Sequence, residues 1–302
     1  MPESYHRPVM LKRCIDGLDI HPDGVYVDAT FGGGGHSEEI LSKIPAGHLY
    51  AFDQDPDAKK NAAAFDSSRF AFIAANFRYL KRYLKMYNID QVDGILADLG
   101  ISSHQIDAGH RGFSTRFDGA LDMRMSQAGQ VSARSIINEY PAEDLQIIFS
   151  KYGEIKNSRT LSLAICEARE NTEIETTGQL KAIAEKVAPR HREFKYFAQL
   201  FQSIRIAVND ELGALEDLLK QSVEILKPGG RIVVMTFHSL EDRIVKNFFR
   251  TGNFTGNPEK DFYGNLQRPL EPVNRKPLRA EDIEMEQNSR SRSAKLRIAK
   301  KI

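Results

Sequence analysis

The sequence of 302 residues has few cysteines, almost no net charge and no long apolar run. Its two cysteines, Cys14 and Cys166, are far apart and show no metal-ligand spacing, which argues against a disulfide framework and favours a reduced compartment. A formal net charge of +1 makes no global case for a polyanionic partner, so any contact with nucleic acid must come from local patches. Because segment 1–11 lacks an apolar signal core and no later run could span a membrane, we expect a soluble cytoplasmic protein without membrane contact.

The most informative stretch is a run of four glycines, Gly32 to Gly35, between an apolar strand at 25–27 and the start of a helix. Ser37 is a plausible cap for that helix. Strand, glycine turn and helix form the entry of a nucleotide-binding α/β unit, in which bare backbone amides and a helix N-terminus face the ligand. A glycine-rich surface loop is the alternative, but such a loop would not need a strand before it and a helix start after it.

Apolar segments that alternate with helical segments indicate a parallel sheet with right-handed crossovers. After the first strand, further strands are predicted at 48–52, 70–74 and 92–97. The α/β pattern resumes late in the chain with a helix at 210–226 and a strand at 231–236. Beyond these elements the sequence predicts a loop-rich segment at 251–287 and a basic tail from Asn288 onward.

Between the two parts of the sheet, apolar residues follow a helical spacing and no strand is obvious. This pattern indicates a helical insertion, in which two helices begin at plausible caps, Ser132 and Thr177. The helices are predicted at 132–138, 142–152, 159–169 and 177–187. We therefore predict a first part of the sheet domain at 1–106, the insertion at 107–206, and a second part with the basic tail at 207–302.

Three strand ends bring the glycine turn, Asp53 and Asp98 to one edge of the predicted sheet, the edge at which open α/β sheets bind ligands. Asp53 lies 21 residues after Gly32, the distance at which an acid can accept hydrogen bonds from ribose hydroxyls. The alternative role for Asp53 is a helix cap, for which Asp55 is better placed. Phe77, just beyond the third strand, could cover an adenine ring, although a lone phenylalanine more often belongs to a core.

The residues around the glycines narrow the choice of nucleotide. A P-loop needs a lysine after its glycines, whereas His36 follows here. A dinucleotide fingerprint fits at Gly32 and Gly34 but has Ser37 at its third position. S-adenosylmethionine is the remaining common ligand of this topology. Because it has no pyrophosphate, it needs close backbone approach and an acid for its ribose more than a set of amides that bind an anion.

Two roles are open for Asp98, which ends the fourth predicted strand. In enzymes that methylate exocyclic amines of bases, a polar residue at this position accepts a hydrogen bond from the amine and orients its nitrogen. Asp98 could instead hold the amino-acid end of the cofactor. Both roles can act through one carboxylate, and the sequence favours neither.

Specific motifs occur along the whole chain. They are YHRPVML at 5–11, DATFGGGGHS at 28–37, ADLGISS at 97–103, RGFS at 111–114, LDMRM at 121–125, FQSIRIAVN at 201–209, FHSLEDR at 237–243 and RSRSAKLR at 290–297. With these motifs the chain resembles the RsmH (MraW) family of S-adenosylmethionine-dependent N4-cytosine methyltransferases of bacterial 16S ribosomal RNA. The sequence departs from the family pattern at four places. His104, Ala120 and Ser289 each occupy a position where the family commonly has proline, and the stretch 190–195 also differs.

The resemblance implies a Rossmann-like class I methyltransferase, an α/β fold with a mostly parallel sheet and an inserted helical domain that helps recognise RNA. We hypothesise direct methyl transfer to cytosine N4 with Asp98 as the catalytic residue. The resemblance implies S-adenosylmethionine as cofactor and 16S ribosomal RNA in the small ribosomal subunit as substrate. It also implies cofactor contacts at Gly34, Gly35, His36, Asp53, Phe77, Asp98 and Gln105.

Candidate RNA contacts come from local charge and from aromatic residues. The basic tail and four cations of the insertion could contact phosphates: Lys186, Arg190, Arg192 and Lys195. Five aromatic residues could stack on unpaired bases, although most aromatic residues belong to cores: Phe113, Phe117, Phe194, Tyr196 and Phe197.

Two other functions stay open at this stage. One is methylation of an amine in another RNA or in DNA. The other is a binding module that has lost its chemistry, against which the intact glycine turn, Asp53 and Asp98 argue. No cluster of ligands suggests a metal, and no obligate protein partner is evident from the sequence.

Overall fold

The computed structural model describes residues 8–66 and 68–302, and the chain folds into two compact units. Unit 1 comprises the chain up to Gly100 and from Leu212 onward, and unit 2 comprises Ile101–Glu211. The helical insertion predicted at 107–206 lies within unit 2.

Within the described residues, unit 1 is built on one seven-stranded sheet with the strand order β3-β2-β1-β4-β5-β7-β6. The five strands from β3 to β5 are parallel, β7 is antiparallel to β5, and β6 is antiparallel to β7. The expected mostly parallel α/β sheet is therefore confirmed. The strands are β1 (Val25–Asp28), β2 (His48–Phe52), β3 (Phe70–Ile73), β4 (Val92–Asp98), β5 (Leu226–Thr236), β6 (Leu270–Pro272) and β7 (Lys295–Lys301).

Helices connect the strands on both faces of this sheet. The central strands are apolar at successive positions because each face is covered. Ile95 and Val234 belong to one hydrophobic core, whereas their neighbours Leu96 and Val233 belong to the other. The helices outside unit 2 are α1 (Leu11–Leu18), α2 (Gly35–Lys43), α3 (Pro56–Ala62), α4 (Leu80–Met86), α11 (Glu211–Ile225, whose first residue closes unit 2), α12 (Ser239–Thr251) and α13 (Asp282–Gln287).

Unit 2 is helical, and within its described residues the only β-type pairing is the isolated bridge between Ala120 and Thr176. A separate core holds it together, with Phe149 and Leu161 among its fully buried members. Its helices are α5 (Ser103–Asp107), α6 (Ala133–Glu139), α7 (Ala142–Gly153), α8 (Ser158–Asn171), α9 (Thr177–Glu185) and α10 (Glu193–Asn209).

Two helix caps were predicted for the insertion, and the structure confirms one of them. Ser132 caps α6 by accepting a hydrogen bond from the Ser135 amide. The cap of α9 is Thr176 and not Thr177, so that prediction was wrong by one residue. Thr177 is fully buried and its hydroxyl accepts a hydrogen bond from the Gly119 amide, so tertiary contacts use the side chain that local sequence had assigned to the cap.

The C-terminal half of unit 1 differs most from the sequence-based expectation. The segment predicted to be loop-rich contributes β6 and α13, and the basic tail contributes β7, an inner strand of the sheet. Leu296 and Ile298 of β7 are buried in a core, whereas the basic residues Lys295 and Arg297 point to the opposite face of the sheet. None of the described helices is both long enough and apolar enough to cross a membrane.

Candidate functional site

The glycine turn joins β1 to α2 at the carboxyl edge of the sheet. Gly34 is the N-cap residue of α2, with a φ of +84°, and its amide donates a 2.7 Å hydrogen bond to the Phe31 carbonyl. Ser37 was predicted to be the cap, and this was wrong. It lies inside α2, where its buried hydroxyl donates a 2.7 Å hydrogen bond to Asp28 Oδ2.

Two positions of the turn have no room for a side chain. A Cβ atom at Gly34 would lie 2.7 Å from the Phe65 ring and 2.9 Å from the Phe31 ring. A Cβ atom at Gly35 would collide with the ring of Pro8. Packing therefore requires glycine at both positions, and the positive φ of Gly34 favours glycine there as well.

Asp53 follows β2 and is tied to the glycine turn. Its Oδ2 accepts a 2.8 Å hydrogen bond from the Gly32 amide, and its Oδ1 accepts one of 2.8 Å from the Asp55 amide. Loss of water raises the pKa of Asp53 to about 6, although both backbone hydrogen bonds lower it. The alternative role as a helix cap falls to Asp55, which caps α3 by accepting a hydrogen bond from the Asp57 amide. Each carboxylate oxygen of Asp53 keeps one lone pair for a ligand.

Asp98 ends β4, next to the turn. Its amide donates a 2.7 Å hydrogen bond to the Thr30 hydroxyl, which fixes the end of the strand against the residues that precede the glycines. Its Oδ1 is buried and accepts no hydrogen bond from the described residues. Loss of water raises the pKa of Asp98 well above its usual value, and the negative charges of Asp28 and Glu241 raise it further.

His36, the residue after the four glycines, faces Asp98. The distance between His36 Nδ1 and Asp98 Oδ2 is 3.8 Å. Burial lowers the pKa of His36 to about 4, although a hydrogen bond with the Val9 backbone raises it. The imidazole is therefore neutral near pH 7. Its Nε2 is buried and has no hydrogen-bond partner among the described residues.

Three polar residues support the site and were not predicted from the sequence: Asp28, Thr30 and Glu241. Asp28 is 1% exposed and accepts hydrogen bonds from the Ser37 hydroxyl and the Thr30 amide. Burial raises the pKa of Asp28 to about 6, although these hydrogen bonds lower it. Glu241 of α12 is also buried and accepts a 2.8 Å hydrogen bond from the Phe237 amide. A signal existed for Asp28 and Thr30, because both lie in the motif that contains the glycines.

Phe77 and Gln105 complete the predicted set. Phe77 begins a 3-10 turn just after β3 and packs partly buried against the core of unit 1. The residue before it, Asn76, donates a 3.0 Å hydrogen bond to Gln54, which links the chain ends after β3 and β2. Gln105 belongs to unit 2, where its side-chain oxygen accepts a 2.9 Å hydrogen bond from the Ser102 amide at the start of α5.

The structure thus collects most of the predicted residues at one edge of unit 1. The glycine turn, His36, Asp53 and Asp98 are joined by direct contacts or by shared strand ends. Phe77 lies at the same edge after a neighbouring strand.

The candidate RNA contacts of unit 2 divide into two groups. Phe113, Tyr196 and Phe197 are buried in its core and cannot stack on a base, so their prediction was wrong. Phe117 and Phe194 are 52% and 91% exposed. The four predicted cations of this unit are all exposed: Lys186, Arg190, Arg192 and Lys195.

The basic tail is partly neutralised within unit 1. Lys295 Nζ and Arg297 Nε lie 3.0 Å and 2.7 Å from the two carboxylate oxygens of Asp242. Although burial raises the pKa of Asp242, the hydrogen bonds from Arg297 and Lys295 hold it below its usual value. One carboxylate pairs with two cations, so this group of three side chains keeps a net positive charge.

Comparison with known proteins identifies relatives along the full chain. The sequence profile of the MraW methylase family matches residues 3–302. The chain is 53% identical over 300 residues to a ribosomal RNA small subunit methyltransferase H of Flavobacterium johnsoniae, covering 99% of this chain and 98% of the relative. Proteins of the same name in Bacteroides thetaiotaomicron and Cytophaga hutchinsonii are 53% and 52% identical over 299 and 297 residues, covering 99% and 98% of this chain and 98% and 99% of the relatives.

Proposed function

This chain belongs to the MraW methylase family, and from that premise we propose that it transfers a methyl group from S-adenosylmethionine to the exocyclic N4 amine of a cytidine in small-subunit (16S) ribosomal RNA. The observation that carries the proposal is Asp98 Oδ1, a buried acceptor without a partner among the described residues, at the strand edge that also holds the glycine turn. A buried acceptor without a partner is costly, and it is retained where a ligand supplies the donor.

The residues at the sheet edge fit S-adenosylmethionine. Gly34 and Gly35 are proposed to contact the cofactor through their backbone, and the lone pairs that remain on Asp53 can accept the two ribose hydroxyls. Phe77 supplies an apolar surface for the adenine, and His36 Nε2 is a further unused polar atom beside the turn. Gln105 is proposed as the contact from unit 2.

The chemistry at the target base depends on Asp98. When bound, S-adenosylmethionine supplies an electrophilic methyl group on a positively charged sulfur. The amine of cytosine is a weak nucleophile, so orientation contributes much of the rate. Asp98 Oδ1 accepts one N–H of the amine, points the nitrogen at the methyl group and stabilises the positive charge that develops on it. The raised pKa of Asp98 also suits it to receive the proton that the amine must lose.

Recognition of RNA is assigned to unit 2. The target cytosine must leave its stack before its amine can reach a methyl donor at the sheet edge. The exposed cations around the start of α10 and the exposed ring of Phe194 provide phosphate and base contacts of the kind that unpaired RNA offers. The protein acts, in this proposal, on ribosomal subunits in the cytoplasm.

A transfer assay with three substrates tests the proposal. Tritiated S-adenosylmethionine is incubated with the protein and undermethylated small ribosomal subunits, naked 16S RNA or duplex DNA, and the labelled nucleoside is identified after digestion. We expect label in N4-methylcytidine from the ribosomal substrate only. Label in a different nucleoside or in DNA would show that the proposed substrate is wrong. Absence of transfer to all three substrates would indicate a binding module without methyltransferase activity. Cys166→Ala serves as the control variant with expected normal transfer, because no covalent cysteine step is required.

A further inference from the structure

A pocket of about 350 Å³ lies in unit 1 against the C-terminal half of α12 and the antiparallel strands β6 and β7. Phe249 and Pro272 supply apolar walls. The charged residues of the lining are five cations and one acid: Lys246, Arg250, Arg268, Arg275, Arg297 and Glu271. A concave surface with one sign of charge and apolar walls concentrates the electrostatic potential and attracts anions.

The acids near the pocket do not balance its cations. Arg268 pairs with Glu271 at 3.2 Å, and Arg297 shares Asp242 with Lys295. Among the described residues, no hydrogen bond or ion pair of the Lys246 or Arg275 side chain is found. Two cations are thus available for an incoming anion, beside guanidinium groups that are already held in place.

A short turn with two exposed aromatic residues precedes the pocket residue Arg268 in the sequence; we call it the aromatic tip. The segment 260–266 forms a tight turn, closed by the bridge between Lys260 and Leu266. Asp261 Oδ1 fixes the turn by accepting hydrogen bonds of 2.9 Å and 2.8 Å from the amides of Tyr263 and Asn265. The tip presents two aromatic rings to solvent, Phe262 at 98% and Tyr263 at 86% exposure.

Exposure of two neighbouring aromatic rings on an ordered turn suits base stacking. Burial of apolar surface is favourable, yet both rings lie in water, on a turn that the hydrogen bonds of Asp261 order. Tyr263 is five residues from Arg268 of the pocket, so their Cα atoms are at most about 18 Å apart. A phosphate and a nearby base of one unpaired strand can therefore contact both features.

We propose that the pocket binds a backbone phosphate of unpaired RNA and that a base of the same strand stacks on the Phe262–Tyr263 tip. This site rests on the proposed RNA substrate. It extends the RNA contact to unit 1. The cationic pocket supplies affinity that falls with salt, and the aromatic tip selects single strands, because bases in a duplex are already stacked.

Fluorescence anisotropy with a labelled, cytidine-containing single-stranded RNA tests the site on the full-length protein. We expect the double variant Lys246→Ala, Arg275→Ala to bind the RNA about tenfold more weakly. The slope of log K against log[salt] should become less steep by about one. We expect Phe262→Ala with Tyr263→Ala to weaken single-strand binding by about tenfold, with little effect on a duplex. The change Phe262→Leu keeps an apolar side chain but loses the ring, so it should weaken binding, whereas Phe262→Trp should not.

The matched control is Lys59→Ala with Lys85→Ala, which removes the same charge from exposed positions of α3 and α4. Thermal melting and S-adenosylmethionine affinity verify that every variant is folded. The proposal is overturned if the pocket variants bind the RNA with wild-type affinity, or if the control variant loses as much affinity as they do. Binding of inorganic phosphate to the pocket would not rescue it. Failure of the proposed function is seen separately, as absence of methyl transfer by the wild-type protein to small subunits.

Discussion

His36 Nδ1 and Asp98 Oδ2 are 3.8 Å apart, yet the two residues do not form an ordinary ion pair. Burial lowers the pKa of the imidazole to about 4 and raises the pKa of the carboxyl group well above its usual value. Each group is thus biased towards its neutral form in the protein alone. A cationic ligand at this edge would reverse the bias on Asp98, and this couples ligand charge to the protonation of one residue.

The affinity for S-adenosylmethionine should therefore rise with pH. The positively charged sulfur favours the ionised form of Asp98, so binding tightens as pH rises towards the raised pKa of Asp98 in the free protein, by up to about tenfold per pH unit. S-adenosylhomocysteine has a neutral sulfur and should show a smaller rise. Titration calorimetry of both ligands between pH 5 and pH 9 measures the difference. The ratio of the two affinities removes effects that both ligands share, such as the titration of Asp53.

This comparison also separates the two roles that the sequence left open for Asp98. Both ligands carry the same amino-acid end. If Asp98 only holds the ammonium group, their pH dependences will be the same. A ratio of affinities that does not change with pH would thus count against placing Asp98 beside the reacting sulfur and amine.

The change Glu241→Gln should shift this pH dependence to lower pH. The charge of Glu241 is one of the causes that raise the pKa of Asp98, and glutamine keeps an oxygen to accept the Phe237 amide. The affinity ratio of the two ligands should reach its plateau at a lower pH in this variant. An unshifted curve would show that the charge of Glu241 does not raise the pKa of Asp98.

The change Asp28→Asn should stabilise the protein at neutral pH. Burial raises the pKa of Asp28 to about 6 in the folded state, so the folded protein binds its proton more tightly than the unfolded chain does. The contribution of this residue to stability is therefore largest below pH 4 and is lost as pH rises through about 6, by up to about 3 kcal/mol. Denaturant unfolding at pH 4 and pH 7 should show little difference from wild type at pH 4 and a gain at pH 7. A loss at both values would mean that the hydrogen bonds to Ser37 and Thr30 need the carboxylate.

The change Gly34→Ala should destabilise the protein more than Gly264→Ala does. Both glycines have left-handed backbones, with φ of +84° and +87°, so the conformational cost of a Cβ atom is the same. At Gly34 the Cβ atom would also press against Phe65 and Phe31, whereas at Gly264 no atom lies within 4 Å. The extra cost from crowding should be about 1–3 kcal/mol in the free energy of unfolding. Equal losses would show that the rings yield freely and that packing does not enforce glycine at this position.

The central sheet could be predicted because its signals are local. Asp53 and Asp98 lie at the ends of apolar runs bounded by turns, and such runs are recognisable in the sequence alone. The strand in the basic tail is harder to predict, because its charged residues mask the alternation of apolar and polar positions. Leu296 and Ile298 are the residues of β7 that pack into the core on one face of the sheet. A strand of this kind is recognised from its partners in the sheet and not from its own composition.

The site was predictable in its members but less so in their interactions. Local sequence predicts Ser37 as a helix cap, whereas the buried carboxylate of Asp28, nine residues earlier, accepts a hydrogen bond from its hydroxyl. The pKa of Asp98 depends on Glu241, which is distant in sequence and reaches the site only through the order of strands in the sheet. Such contacts depend on topology, and no motif spacing reports them.

Single-turnover methyl transfer by Asp98 variants tests the central claim most directly. Undermethylated small subunits are mixed with excess protein and tritiated S-adenosylmethionine, and cofactor affinity is measured in parallel at a pH where Asp98 is protonated in the free protein. We expect Asp98→Ala to lower the transfer rate at least about 100-fold with cofactor affinity changed only a few-fold, and Asp98→Asn, which keeps an acceptor oxygen but cannot take the proton, to fall between this variant and wild type. Transfer at the wild-type rate by Asp98→Ala would contradict the account.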